Sequence, residues 1–333
     1  MAAPVPNLPL TAAATRRRFA RLTLGFALLL GLTAVFADIL ASDLPIALRL
    51  DEHLYVLPNL TRPAELRPYT NQALDAALVE GDWALFPPVP WGRNSHDLSA
   101  VLAAPSGAHW LGTDSSGRDV FARLVHGARV SLTVALLSVF LMSCIGLTVG
   151  LCAGYFGGWL DVVLMRTVDA LHAVPTTLLL ITLLQVTHPS GFNAVLALTV
   201  VIGCIRWTDL SRMVRAEVLR IRTTPFVEAA RALGLPTFQV ITRHVLPNVL
   251  SPVLVAAGFS MAGAIVIEGA LSFLGFGVPD DVASWGGMLN DVRDHIDAWW
   301  LAVFPGTLMF ISVSVCNLLG EIVRESIDPR SQI

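Results

Sequence analysis

The sequence predicts an all-α membrane protein with about six transmembrane helices. Of its 333 residues, 54% are hydrophobic and only 14% are charged, whereas a soluble domain carries about 25% charged residues. A helix needs roughly 20 apolar residues to cross the hydrocarbon core of a bilayer. Runs of this kind occur at about 20–41, 129–154, 166–187, 194–211, 251–274 and 300–322.

The first apolar run follows a basic start with four arginines between positions 16 and 21. The small residues around Ala37, just before Asp38, would also suit a cleaved signal peptide. We favour a retained anchor, because the run is longer than the apolar core of a signal peptide, which has about 7–15 residues. Residues 1–42 are therefore predicted to hold a cytoplasmic N-terminus and the first transmembrane helix.

Two later runs are irregular. The run at 166–187 begins with charged residues and is interrupted by Pro175, and the run at 194–211 is short and ends in polar residues. We expect these charges to pair near the membrane surface, Asp169 with Arg166 and Asp209 with Arg206 and Arg212.

Arginine asymmetry predicts the orientation of the chain, because cytoplasmic loops carry an excess of basic residues. The loop at 212–250 contains six arginines, whereas the loop at 275–299 contains five aspartates and one arginine. The first loop and the N-terminus are therefore predicted to be cytoplasmic, and the second loop external. We expect a multi-pass protein of the cell inner membrane.

Residues 43–128 form a long polar segment, predicted to be external. Its prolines and three tryptophans favour a small ordered cap, although an insertion that shields the channel mouth is an open alternative. Near its end, apolar residues at helical spacing predict an amphipathic helix at the membrane interface before the second span. Within that helix, Asp119 and Arg123 are placed to pair.

The sequence of residues 224–248 predicts two short helices that are separated by a sharp turn. Thr224 can cap a helix that starts with Pro225, and Gly234 supplies a left-handed exit. After Pro236 stops this helix, Thr237 can cap a second one, which Pro247 is expected to end. Two capped helices between apolar spans are expected to form a rigid projection that binds a soluble partner. We call this projection, residues 224–248, the knob.

The same segment resembles the EAA loop of bacterial ABC-importer permeases. Glu228-Ala229-Ala230, Gly234 and Leu246-Pro247 have the spacing of that loop, with His244 in place of its isoleucine. The run from Arg243 to Asn248 and the LGTD…GRD…GARVSL pattern at 111–132 are similar to the dipeptide, oligopeptide and nickel branch. The resemblance covers roughly residues 105–330.

The resemblance implies a type I ABC-importer transmembrane domain at 129–322, a cytoplasmic coupling-helix loop at 224–248 and a cytoplasmic C-terminus at 323–333. It further implies a heterodimer with a second, homologous permease, two ATPase subunits that carry ATP and magnesium, and an external solute-binding protein. The implied cargo is a dipeptide or oligopeptide. Nickel or another small solute is the alternative.

Site residues follow from this resemblance. The residues expected to couple the chain to its ATPases are Phe226, Glu228, Ala229, Ala230, Leu233, Gly234, Leu246 and Pro247. Among them, Phe226, Ala230 and Leu233 are predicted to share the face that fills a groove on the ATPase. Glu268 and Trp285 are predicted, more loosely, to line the outer part of the translocation pathway.

Composition argues against other function classes. The chain has no lysine, so it cannot contain a Walker A motif, and it has no HExxH zinc motif. A net charge of −3 gives no signal for nucleic-acid binding, and the four cysteines lack a paired spacing. We therefore predict a transport subunit, not an enzyme, that binds no cofactor or metal itself. An ion-coupled secondary transporter using Asp169, Asp209 or Glu268 is the weaker alternative.

Overall fold

The computed structural model describes residues 10–50, 52–66, 69, 71–79, 81–187 and 192–327. The ends at 1–9 and 328–333, predicted to be cytoplasmic, lie outside the described residues. The helices are α1 Leu10–Val35, α2 Ala37–Leu40, α3 Pro58–Thr61, α4 Asn71–Ala77, α5 Val120–Phe156, α6 Gly158–His172, α7 Thr176–Thr187, α8 Phe192–Ile221, α9 Pro225–Ala232, α10 Thr237–Val240, α11 Leu246–Phe273, α12 Trp285–Asn290 and α13 Trp299–Ile327. The strands are β1 Ala47–Leu50, β2 His53–Val56 and β3 Trp83–Leu85.

Length and composition allow five of these helices to cross a membrane: α1, α5, α8, α11 and α13. The pair α6 and α7 is apolar enough to form a sixth span, but it bends by 83° at the break that contains Pro175. The prediction of an all-α membrane fold with about six spans is confirmed. α8 continues ten residues beyond the predicted end at 211, because Ser211 to Ile221 contain no helix breaker.

The predicted interfacial helix before the second span is wrong as a separate element. Residues 120–128 are instead the first turns of α5, which runs without interruption to Phe156. Asp119 is the N-cap of this helix, and its side chain accepts a hydrogen bond from the Ala122 amide at 2.8 Å. The expected Asp119–Arg123 ion pair is also wrong, because Asp119 is occupied by this cap and by His109, while Arg123 turns to Asp114.

An extensive close contact in the membrane core joins α5 to α8. Gly146, Gly150 and Gly154 recur at every fourth position of α5, so they lie on one face of the helix. A Cβ atom added at Gly150 would lie 2.6 Å from the Val214 side chain, and one at Gly154 would lie 2.8 Å from Val218. Glycine is therefore required here to let the two helix backbones approach.

The segment before α5 is ordered and includes a small antiparallel sheet of order β2-β1-β3, which the sequence reading did not predict. One face of the sheet covers a local apolar cluster formed by Leu44, Leu48, Leu66 and Leu74. The end of the segment is tied to the transmembrane domain, because the Trp300 indole donates to the Thr113 carbonyl at 3.0 Å. An ordered unit therefore lies on the side of the membrane that is predicted to be external.

Replacement of Gly150 by leucine tests the α5–α8 contact. We expect Gly150→Leu to lower the thermal unfolding temperature strongly, because overpacking a tight contact costs about 1–3 kcal/mol or more. Gly25→Leu is the matched control, since Gly25 on α1 has open space around its Cα atom. Thermal unfolding of both variants in detergent checks this; equal stability of the two would contradict the contact.

Candidate functional site

The segment 224–248 forms the predicted knob. Pro225 is the first residue of α9, and Gly234 adopts a φ of +77°, as expected for a left-handed exit. Two capping predictions are wrong in detail. The Thr224 hydroxyl donates to the Ile221 carbonyl at 2.6 Å, and it accepts no hydrogen bond from the amides of α9. Thr237 is the first residue of α10, and Pro236 occupies the N-cap position.

The prediction that Pro247 ends the second helix is also wrong. α10 continues through one π-helical turn at Ile241–Val245 directly into α11, and Pro247 lies in the first turn of α11. The wider turn carries a hydrogen bond from the Leu246 amide to the Ile241 carbonyl. Such a turn makes room for the proline ring, which would otherwise clash with a carbonyl of the preceding turn. The knob is thus continuous with a transmembrane helix.

One face of the knob is anchored on the transmembrane helices. Val227, Val240 and Val245 are almost fully buried and belong to the same apolar cluster as Val214 and Val218 of α8. Burial of a valine side chain contributes roughly 1.5–3 kcal/mol. The inner face of the knob is therefore packed into the apolar core that the transmembrane helices share.

The opposite face of the knob carries large apolar side chains that are left largely exposed by the part of the chain that the structure describes. Phe226 is 46% exposed, Leu233 80% and Phe238 76%. Ala229 is also exposed and lies between Phe226 and Leu233 on α9. An exposed apolar patch of this kind marks an interaction surface. We call these four residues the apolar tip.

The predicted three-residue face is corrected by this arrangement. Ala230 is only 5% exposed because it points inward beside Val227, so it cannot share a surface with Phe226 and Leu233. Glu228 is exposed, and among the described residues its carboxylate has no ion pair. The nearby Arg231, which the sequence offers as a partner for Glu228, lies instead over the ring of Tyr155 at 4.8 Å. Leu246 is half-buried and Pro247 exposed at the start of α11.

Glu268 and Trp285 come together, but inside the protein. The Glu268 carboxylate accepts hydrogen bonds from the hydroxyls of Ser131 on α5 and Ser272 on α11, both at 2.9 Å. The Trp285 indole donates to the Leu124 carbonyl at 3.0 Å. Both side chains are fully buried, so the prediction that they line a pathway is wrong for this conformation. They join α5, α11 and α12.

The membrane-surface charges pair partly as expected. Asp169 contacts Arg166 at 4.0 Å, but its shorter contact is with Arg212 at 2.7 Å. Asp209 pairs with His172 at 3.3 Å and not with either arginine, because α6 and α7 bend at Pro175 and bring the end of α6 beside α8. These pairs therefore join α6 to α8.

A buried acid–histidine cluster in the segment before α5 was missed by sequence reasoning. His109 lies between Asp119 at 2.8 Å and Asp97 at 3.5 Å, and its ring stacks near Trp91. Burial raises the pKa of the Asp119 carboxyl, against the opposing effect of its hydrogen bonds. The hydrogen bond from the Ser99 hydroxyl lowers the pKa of the Asp97 carboxyl. The cluster holds the N-terminus of α5 to the segment that precedes it.

Arg118 and Arg123 reach across to the acidic loop at 275–299. Both guanidinium groups donate to the Asp280 carbonyl, at 2.9 and 3.3 Å, and both contact the Asp114 carboxylate. The LGTD…GRD pattern therefore has a structural role at this surface, where it fixes the start of α5 against the loop before α12.

Comparisons with known proteins identify the family. Residues 146–333 match the family model described as "Binding-protein-dependent transport system inner membrane component". A putative peptide permease of Brucella suis biovar 1 is 40% identical over 248 residues, which are 74% of this chain and 81% of the relative. The dipeptide transport system permease DppC of Alkalihalophilus pseudofirmus is 39% identical over 230 residues, 69% of this chain and 74% of the relative.

Two further comparisons agree. The glutathione transport system permease GsiD of Pectobacterium atrosepticum is 36% identical over 239 residues, with 72% of this chain and 78% of the relative covered. An inward-facing structure of the methionine ABC transporter MetNI has a TM-score of 0.51 at 21% identity, covering 62% of this chain and 96% of that one. This likeness concerns the fold alone. The chain belongs to the family of inner-membrane components of binding-protein-dependent transport systems.

Proposed function

We propose that this chain is one of two membrane-spanning subunits of an ATP-driven importer of dipeptides or oligopeptides. Membership of the family makes it a transport subunit of a binding-protein-dependent system. The peptide cargo is inferred from relatives that are named as peptide, dipeptide and glutathione permeases. Nickel and other small solutes remain the alternative cargo.

The observation that carries this proposal is the apolar tip, an exposed surface on a knob that is itself rigid. The apolar tip binds in a groove on an ATPase subunit. Phe226 and Leu233 insert into this groove, and Glu228 lies at its edge. Gly234 shapes the corner, while Ala230 anchors the knob from the inner side. Leu246 and Pro247 connect the surface to α11.

In this assembly the N-terminus and the knob face the cytoplasm, and the segment 43–128 faces the external solute-binding protein. A second, homologous permease completes the membrane unit as a heterodimer. Closure of the ATPase dimer draws the two knobs together, and the spans rock as rigid bodies to open the path outward. Because the π-helical turn leaves no loop between the knob and α11, the movement reaches this helix directly.

Uptake of a labelled dipeptide and a labelled tripeptide tests the proposed function. Host cells that lack this chain should lose uptake, and the wild-type chain should restore it. Unchanged uptake on deletion would contradict peptide transport, and the same strains would then be tested with nickel.

Gly234→Pro should abolish restored uptake without changing the amount of protein in the membrane. Proline cannot adopt a positive φ, and it also removes the amide that donates to the Arg231 carbonyl at 2.9 Å. Gly234→Asn is the matched control, because asparagine tolerates the left-handed region and the space around Gly234 is open. The asparagine variant should keep most of the uptake. Normal uptake by the proline variant would argue against the coupling assignment.

The double substitution Phe226→Asp and Leu233→Asp should remove the ATPase subunits from the purified complex. Both side chains are exposed, so the unfolding temperature of the permease itself should change little. Leu98→Asp is the control, since Leu98 is 81% exposed but lies in the segment on the other side of the membrane. Full recovery of ATPase with the double variant would mean that the apolar tip is not the contact.

A further inference from the structure

Arg206 differs from the arginines that follow it in the chain, near the end of α8. Arg212 pairs with Asp169, Arg215 with Asp161 and Arg220 with Glu217, and Arg222 just beyond donates to the Gly154 carbonyl. Arg206 lies near the middle of α8. Among the described residues, its guanidinium has neither an ion pair nor a hydrogen bond. An unpaired charge within a membrane span is costly, and it marks a functional position by default.

The guanidinium faces a groove between α5, α8 and α11. A small cavity of about 10 Å³ at the inner end of the groove is lined by Ser138, Met142, Arg206 and Ser260. It adjoins a cavity of about 130 Å³ that Met142, Arg206, Asp209, Met213 and Ser260 line. Met213 and Ala256 continue into a third cavity of about 510 Å³, which ends at Glu217 and Arg324. Because neighbouring cavities share lining residues, Arg206 lies at one end of a row of cavities that runs along α8 and α11 to Glu217 and Arg324.

The walls of this groove suit a cargo with variable side chains. Met142, Met213 and Phe259 are among its apolar lining residues. Methionine is flexible and polarizable, so it adapts to side chains of different shape. Asp209 also lines the part of the groove next to Arg206, and its carboxylate lies 3.3 Å from the imidazole of His172. Arg206 is therefore the basic group at this end of the groove, and among the described residues its guanidinium has no partner.

We propose that Arg206 binds the terminal carboxylate of the peptide during its passage along this groove. The inference rests on the proposed function, because it takes the cargo to be a peptide. A guanidinium group binds a carboxylate through two parallel hydrogen bonds. Every unmodified peptide has this carboxylate, whatever its side chains. The Arg206 guanidinium can therefore bind peptides of many sequences, while the flexible lining side chains adapt to the rest of the peptide. Arg206 is thus a substrate-binding residue of the translocation path.

The test uses the complete transporter, purified with its ATPase subunits, reconstituted in proteoliposomes and supplied with its external binding protein. Uptake of a labelled dipeptide and of its C-terminal amide is measured, both at concentrations that saturate the binding protein. The variants are Arg206→Gln and Arg206→Lys, and Arg220→Gln is the control at an exposed position of the same helix. Recovery of the second permease with each variant is measured in parallel.

We expect the wild type and Arg220→Gln to prefer the free acid over the amide by about tenfold or more, which corresponds to about 1.4 kcal/mol. In Arg206→Gln, uptake of the acid should fall to the level of the amide, so that the preference disappears. Arg206→Lys should keep part of the preference, because it keeps the charge but loses the bidentate geometry.

Three other results would overturn the inference, each in a distinguishable way. If Arg206→Gln keeps the preference of the wild type, the carboxylate is recognised elsewhere while peptide transport stands. If Arg206→Gln loses both cargoes together with the second permease, Arg206 pairs with an acid of that subunit. If the wild type transports neither peptide, the proposed function itself fails and the inference falls with it.

Discussion

The close approach of α5 and α8 is the contact on which the rest of the architecture depends. Three glycines of α5 remove the side chains that would separate the two helices, and Leu210, Val214 and Val218 fill the space. α5 begins at the acid–histidine cluster of the preceding segment, whereas α8 ends at the knob. A contact between these two helices therefore fixes both ends of the molecule relative to each other. Helices that are packed this closely move together as a rigid unit, because a close-packed interior does not deform continuously.

The knob has two faces with different physical roles. Its inner face is buried in the apolar cluster that α5, α8 and α11 share, so the knob cannot pivot without disturbing that core. Its outer face presents aromatic and aliphatic side chains to solvent, which is costly unless a partner covers them. The π-helical turn before Pro247 adds a second rigid connection, to α11. A force applied at the apolar tip is therefore delivered to two spans at once.

Several charged groups within and near the spans have partners on other elements. The buried Glu268 is held by two serine hydroxyls, and Asp161 forms a two-point contact with Arg215. Such groups hold helices together. Removing one partner would leave an unpaired polar or charged group in an apolar environment, which destabilises the fold. Arg206 is the described arginine of α8 to which this account does not apply. Its position at the inner end of a groove assigns it to cargo and not to packing.

The sequence by itself determined the membrane class, the positions of the spans, the break at Pro175 and the corner at Gly234. These features depend on apolar run length and on backbone restrictions of proline and glycine, which are local properties. Tertiary structure decided which side chains face outward. Ala230 and Phe226 have similar positions in the sequence pattern, yet only the packing of the knob into the apolar core shows that Ala230 is buried. Glu268 and Trp285 look like site residues in the sequence. Each forms a hydrogen bond to α5, far away in the chain, and no local pattern specifies which elements will meet.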